Sequence, residues 1–238
     1  MYYRERLDKI IEILEKRTKA SVHALAKELF VSEPTIRRDL CVLESEGKIK
    51  RTYGGAVLSE VLNVEVPFDS RFRANTAEKD FIARLAAQRI KDGNVLFLDA
   101  SSTVQAIVKY LSAFHNLTVV TNSPKTSLML AERQIKSFCT GGLLLENSIA
   151  YVGPLAERFI SNFNADIFFF SCRGLAEDGT LTDSSIEESE IRKVMMARAK
   201  KKVFLCDSSK FNKEYMYRLS HVNDVDEIIS NAKLPKFD

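Results

Sequence analysis

Residues 25–56 read LAKELFVSEPTIRRDLCVLESEGKIKRTYGGA. Leu25, Ala26 and Leu29, with Val22 just before them, share one face of a helix, and Ser21 is placed to cap its start. Phe30 and Val31 make a short apolar turn. Ser32 then caps a second helix, with Glu33 and Pro34 in the first turn, where a missing N–H costs nothing. Ile36, Leu40 and Leu43 form its inward face, and Gly47 ends it. Helix, tight turn, helix is the helix-turn-helix geometry. In that geometry the start of the second helix enters the major groove of DNA. With Ile36, Leu40 and Leu43 turned inward, Glu33, Thr35, Arg37, Arg38 and Cys41 must point elsewhere. Arg37 and Arg38 carry planar forks that match guanine edges or phosphates. Ser32 and Thr35 can donate to phosphates.

On the upstream side, Leu7, Ile10, Ile11 and Leu14 repeat at helical spacing and predict a first helix. On the downstream side, KIKRTYGGAV holds three basic residues, a Gly-Gly turn and two apolar residues. That pattern predicts a two-stranded wing, with Lys48, Lys50, Arg51 and Tyr53 along the phosphate backbone or an adjacent minor groove. Charge agrees with this placement. Residues 1–58 hold 12 Lys/Arg against 9 Asp/Glu, while the remaining 180 residues hold 23 of each sign. The excess positive charge therefore lies in the first quarter of the chain.

The same stretch resembles the winged-helix signature of DeoR-family bacterial transcriptional regulators. The resemblance rests on Leu25-Ala26, Val31-Ser32, Thr35 to Leu40, Leu43-Glu44, Gly47 and Arg51-x-Tyr53-Gly54-Gly55-Ala56. It implies sequence-specific binding of double-stranded operator DNA through Ser32, Glu33, Thr35, Arg37, Arg38, Lys50, Arg51 and Tyr53.

Beyond the wing, residues 59–75 lack a sustained helical period, contain Pro67 and read as a linker. The expected organisation is a DNA-binding domain over 1–58, a linker over 59–75 and a second domain over 76–238. In that second domain helices alternate with strands. Helices are expected at 76–91, 103–111, 124–131, 154–162 and 186–200. Strands are expected at 95–99, 117–121, 135–139, 165–171, 203–207 and 226–230. Runs such as VLFLD and ADIFFFS are almost continuously apolar, as strands covered on both faces are. The order predicts an α/β sheet with helices on both faces.

In such sheets ligands sit beyond the carboxyl ends of the strands, and this sequence places polar residues there repeatedly. VLFLD, ending at Asp99, runs into Ala100-Ser101-Ser102-Thr103; LTVVT, ending at Thr121, runs into Asn122-Ser123. ADIFFFS runs into Cys172-Arg173-Gly174, and VFLCD into Ser208-Ser209-Lys210. A hydroxyl-rich loop opening a helix is a phosphate cradle, because free N–H groups and the positive dipole end face the anion. Arg173 and Lys210 can supply charge to a phosphate. Glu188 or Glu190 can accept sugar hydroxyls.

The family resemblance extends over this part. LDASST at 98–103, TNS at 121–123, GG at 141–142, Asp166, Gly174, EES at 187–189 and DSSKF at 207–211 are similar to the DeoR-type sensor domain. That resemblance implies a fold like ribose-5-phosphate isomerase and the CoA-transferase group. It also implies a phosphorylated-sugar effector, bound by residues among Asp99, Ser101, Ser102, Thr103, Thr121, Asn122, Arg173, Gly174, Glu188 and Lys210. The protein is then expected to be a repressor of sugar-metabolism genes and a homo-oligomer, dimer or tetramer, because two half-sites need two wings. The alternative is a sugar-phosphate isomerase-like enzyme with an appended DNA-binding domain. For that reading the sequence shows no positioned general base.

Composition removes other classes. Hydrophobic residues make up 45% and charged residues 28%, which excludes a disordered chain. Cys41, Cys139, Cys172 and Cys206 have no metal-ligand spacing, and His23, His115 and His221 form no cluster with them in sequence. No metal or cofactor is expected beyond the small-molecule effector. The segment MYYRERLDKIIE is charged from Arg4 onward, and apolar runs such as Ile167–Phe170 are too short to span a bilayer. A cytoplasmic protein without membrane contact is expected.

Overall fold

The structure, a computed structural model, describes residues 2–45, 47–58 and 67–237. The chain divides into two units between Ala74 and Asn75.

The first unit begins with α1 (Tyr3–Arg17), β1 (Lys19–Ser21), α2 (Val22–Glu28) and α3 (Glu33–Ser45). It continues with β2 (Ile49–Thr52), β3 (Gly55–Leu58) and α4 (Phe68–Arg73). Ser21 caps α2 by accepting from the Ala24 N–H at 3.1 Å. The turn to α3 passes through Phe30 in the left-handed region, φ 54°. Leu7, Ile10, Leu14, Val22, Leu25, Ile36, Leu40, Leu43 and Ile49 close one apolar core. Arg6 of α1 adds a polar tie. It donates to both carboxylate oxygens of the buried Asp39 of α3, at 2.6 and 3.1 Å.

Two expectations are corrected here. The wing is three-stranded, in the order β1-β3-β2, because β1 pairs antiparallel with β3. Gly55 permits this approach: a Cβ there would collide with the Ala20 carbonyl. Three residues between two helices give too short a pattern to read as a strand. The second correction concerns the linker. Residues 59–66 lie outside the described residues, but 68–73 form a helix. Phe68 and Phe72, one turn apart, stack at 6.0 Å between ring centroids, and Ser70 Oγ donates to the Ser45 carbonyl of the first unit.

The second unit runs α5 (Thr76–Ala87), β4 (Val95–Leu98), α6 (Ser102–Gln105), a 3₁₀ segment (Ala106–Ala113), β5 (Thr118–Thr121), α7 (Pro124–Glu132) and β6 (Lys136–Cys139). It then runs β7 (Leu143–Leu145), β8 (Ala150–Val152), α8 (Pro154–Ser161), β9 (Ala165–Phe170), β10 (Gly174–Leu175) and β11 (Thr180–Asp183). The last elements are α9 (Ile186–Ala197), β12 (Ala199–Cys206), β13 (Tyr217–His221) and β14 (Glu227–Ser230). Six strands form one parallel sheet in the order β14-β12-β9-β4-β5-β6. Alternation places Leu96, Leu98, Val119, Ile167, Phe169, Val203 and Leu205 in one core and Phe97, Val120, Phe168, Phe170 and Phe204 in the other. Both faces are covered, which is why these strands read as unbroken apolar runs. The strand order reverses between β4 and β9, so their carboxyl ends flank a topological switch point.

The α/β reading of this unit holds, with differences in detail. A second, antiparallel sheet β10-β11-β13 and a hairpin β7–β8 accompany the main sheet. Their strands are two to five residues long, too short for a strand pattern to announce them. The helix expected over 186–200 ends at Ala197, because Ala199 already pairs with Ala165 as β12 begins. The helix expected at 76–91 ends at Ala87. The helix expected at 103–111 is one α-turn followed by the 3₁₀ segment.

Candidate functional site

In the first unit, α3 turns Ile36, Leu40 and Leu43 fully into the core and leaves Arg37, Arg38 and Cys41 exposed. Ser32 and Thr35 hydroxyls bond each other at 2.9 Å at the start of the helix. Glu33 is held from two sides, by His23 Nδ1 at 3.2 Å and by an Arg37 guanidinium N–H at 3.3 Å. On the β2–β3 hairpin, Tyr53 stands fully exposed at the tip beside Gly54, whose φ is 84°. Arg51 turns back onto α3. Its backbone N–H and Nε donate to Glu44 at 2.9 and 2.6 Å, and its guanidinium reaches Cys41 Sγ at 3.1 Å. The backbone N–H of Arg51, with its guanidinium, holds the Glu44 carboxyl below its usual range. Lys50 and Arg38 form no ion pair among the described residues. A cleft of about 230 Å³ separates α3 from the hairpin, lined by Arg37, Leu40, Arg51 and Gly54 among others. The eight residues expected to touch DNA thus lie on α3, at its start and on the adjoining hairpin.

In the second unit, the loops after β4, β9 and β12 meet at the switch point. Lys210 Nζ donates to Ser171 Oγ at 2.5 Å and to Thr103 Oγ1 at 3.4 Å, and lies 3.8 Å from Asp207 Oδ2. Burial works against the Asp207 charge, but Lys210 and the Ser209 hydroxyl outweigh it and hold its carboxyl below its usual range. Asn75 donates from Nδ2 to Asp207 and to Ser209 Oγ, at 3.2 and 3.0 Å. Ser101 caps α6, accepting from the Val104 N–H at 3.3 Å. α6 continues directly into the 3₁₀ segment, so the loop after β4 opens a helical run from Ser102 to Ala113.

Behind this rim lies a buried ion cluster. Arg192 of α9 donates from Nε to Asp99 at 2.8 Å, from one terminal nitrogen to Asp183 at 2.9 Å and from the other to Glu188 at 3.3 Å. All four side chains are nearly inaccessible. Burial disfavours the guanidinium charge, yet the carboxylates of Asp183, Asp99 and Glu188 raise its pKa further. Asp99 also accepts from the Ser101 N–H at 3.0 Å, from Ser101 Oγ at 2.6 Å and from the Ser171 N–H at 3.2 Å. Burial pushes the nearby thiols up, Cys206 to about 12.

The structure therefore brings Asp99, Ser101, Thr103 and Lys210 to one rim, with Glu188 just behind them. Ser102 is buried at the start of α6. Thr121 and Asn122 lie one strand over, where Thr121 Oγ1 accepts from the Ser123 N–H at 3.0 Å. The Arg173 guanidinium lies 5.0 Å over the Tyr215 ring, with Nη1 buried and without a hydrogen-bond partner among the described residues. Gly174 begins β10, where a side chain would collide with the Lys213 carbonyl. Glu190, the other carboxylate weighed from sequence, pairs with Lys193 at 2.8 Å and Tyr217 at 2.6 Å.

Residues 6–61 match the DeoR-like helix-turn-helix domain, and residues 74–232 match the DeoR C terminal sensor domain. The chain belongs to the DeoR family. This DeoR-family protein is a DNA-binding transcriptional regulator and not an enzyme. It is 36% identical over 98% of its length to the uncharacterized HTH-type transcriptional regulator YulB of Bacillus subtilis, covering 91% of that protein. It is 35% identical to the L-fucose operon activator of Escherichia coli, over 94% of this chain and 93% of that protein. It is 34% identical to the HTH-type transcriptional repressor GlcR of Bacillus subtilis, over 99% of this chain and 90% of that protein. Among solved structures it is similar to ribose 5-phosphate isomerase A from Methanocaldococcus jannaschii, with a TM-score of 0.44 and 18% identity over 58% of this chain and 55% of that one.

Sequence reasoning about this DeoR-family regulator missed Arg192, Asp183, Ser171 and Asn75. One signal was available for Arg192: it stands four residues after Glu188 on the same helix, the spacing of an ion pair. The others come from elements whose juxtaposition is tertiary. Among the described residues no helix is long and apolar enough to cross a membrane.

Proposed function

We propose that this regulator represses a sugar-related operon in the cytoplasm and that a phosphorylated sugar, bound at the β4/β9 switch point, controls its hold on DNA. The observation that carries the effector reading is the Lys210 ammonium, largely buried, between Ser171 Oγ and Thr103 Oγ1 at 2.5 and 3.4 Å. A cation with hydroxyls and loop N–H groups around it is a fitting partner for a phosphate. The relatives named for L-fucose, GlcR and a lactose phosphotransferase system support a sugar-related target. On the DNA side, Ser32, Thr35, Arg37 and Arg38 serve α3, with Glu33 orienting Arg37, and Lys50, Arg51 and Tyr53 serve the wing. One winged helix makes few base contacts, so the DNA-competent form is a homo-oligomer, dimer or tetramer.

The test is a mobility-shift titration on a duplex selected from a random pool, with and without a panel of sugar phosphates. One member is expected to weaken DNA binding at least tenfold, and by linkage DNA weakens that ligand equally. A panel in which no member changes DNA affinity sinks the effector reading. A ligand that tightens DNA binding reverses the direction of control.

A further inference from the structure

Three buried side-chain oxygens at the β5/β6 end of the same rim have no hydrogen-bond partner among the described residues: Asn122 Oδ1, Thr140 Oγ1 and Ser148 Oγ. Their residues are 2%, 8% and 0% exposed. Folded domains leave few such atoms, and each asks for a ligand, an ion or a water. The topology sets Asn122 and Thr140 side by side, and the adjoining hairpin carries Ser148. Asn122 follows β5 and Thr140 follows its neighbour β6, and the Thr140 N–H donates to the Thr121 carbonyl at 3.1 Å. Ser148 lies in the turn between β7 and β8. Tyr151 of β8 is bonded twice to Asn122, through its N–H at 2.8 Å and its carbonyl at 3.0 Å. A turn residue without exposed surface places the hairpin turn against the domain. Gly142, φ 110°, leads the chain from Thr140 into the hairpin, and a side chain there would press on the Val152 carbonyl. The hairpin is thus bound through β8 to the residue that follows β5.

The chemistry of the set is narrow. It offers two hydroxyls and an amide carbonyl, all uncharged. Such groups match sugar hydroxyls, which both donate and accept. A phosphate asks instead for cations and N–H donors. The cation is available further along the rim, where Lys210 lies between Ser171 after β9 and Thr103 after β4. Neighbouring strands are about 4.8 Å apart. Two spacings, about 10 Å, separate the β9/β4 boundary from the β5/β6 boundary. That is about the reach of a five- or six-carbon sugar phosphate.

We infer that Asn122, Thr140 and Ser148 form a hydroxyl-reading subsite for the uncharged end of a phosphorylated sugar or polyol, covered by the β7–β8 hairpin. This rests on the effector reading above, with the phosphate at Lys210. Because the three oxygens are closed to solvent, entry of the ligand parts the hairpin from Asn122. Selection among sugars then occurs at β5 and β6, away from the charge that all phosphates share.

The test uses Thr140→Val and Ser148→Ala in the full-length chain. Neither hydroxyl has a partner to lose among the described residues, so both variants should melt at or above the wild-type temperature. Calorimetric titration is run with inorganic phosphate and with a panel of pentose, hexose and polyol phosphates. Each variant is expected to bind the panel's tightest wild-type ligand at least tenfold more weakly, while inorganic phosphate stays within twofold. Lys210→Met should lose both. Variants that bind every panel member as wild type does overturn the subsite, as does a sugar-phosphate complex in which a trapped water serves the three oxygens. If wild type binds inorganic phosphate as tightly as every sugar phosphate, the subsite falls and the anion site stands. If it binds neither, both readings fall together.

Discussion

Arg192 donates from Nε to Asp99 Oδ2 at 2.8 Å, and both side chains are almost wholly buried. The bond ties α9 to the loop after β4. The same carboxylate receives the Ser101 and Ser171 N–H groups, so one guanidinium orders the rim on both sides of the switch point. Arg192→Met leaves Asp99, Asp183 and Glu188 buried without their counter-charge. The expected loss is about 3–5 kcal/mol, or of order 10 °C in the Tm of the second unit. Arg192→Lys should fall between, since a point charge cannot serve three carboxylates at once. Calorimetry of the three proteins checks this; equal Tm values would show that the cluster is not holding the fold.

For the recognition helix, Arg38→Ala should cost roughly 1–3 kcal/mol of specific DNA binding if that side chain reads a base. Arg37→Ala should cost less, because Arg37 already spends one donor on Glu33 at 3.3 Å. Competition shift assays against selected and random duplexes measure both. Two variants indistinguishable from wild type would move base reading away from α3.

The wing offers a contrast between two basic neighbours. Lys50→Ala should weaken specific and random DNA alike and lower the salt slope by about one. Arg51→Ala also frees the Glu44 carboxylate it holds at 2.6 Å, so an unpaired negative charge is left facing DNA. Its loss of affinity should therefore exceed that of Lys50→Ala. The slope of log affinity against log salt separates the two, and identical slopes and losses would show that the Arg51–Glu44 pair plays no part.

Acid stability reports on the anion site. The folded-state pKa of Asp207 is depressed by Lys210 and Ser209 against the opposing effect of burial. A depressed carboxyl adds stability above its unfolded value of about 3.9, and that stability is lost as pH falls through the folded value. Lys210→Met removes the largest lowering influence. The midpoint of acid unfolding should then move to higher pH, with little change in the salt dependence of DNA binding. Circular dichroism against pH measures the shift, and an unchanged midpoint would remove Lys210 from contact with Asp207.

Much of the fold was legible in sequence because its elements are locally consistent. Ile36, Leu40 and Leu43 sit at helical spacing and are all in the core; VLFLD and ADIFFFS are apolar throughout because both faces of the sheet are covered. Less of the candidate site was legible. Lys210, Thr103 and Asp99 were marked by their positions after strands. Ser171 and Arg192 were not.

The amino-acid sequence by itself determined the helix-turn-helix, the alternation of strands and helices and the polar strand ends, since each depends on periodicity and caps within a few residues. Only the tertiary structure decided which polar groups face each other. Asp99 and Arg192 are 93 residues apart, and Lys210 and Thr103 are 107 apart. No local propensity encodes such a pairing. It follows from the strand order β12-β9-β4-β5, which sets these side chains within hydrogen-bond reach where the energy of a buried charge demands a partner.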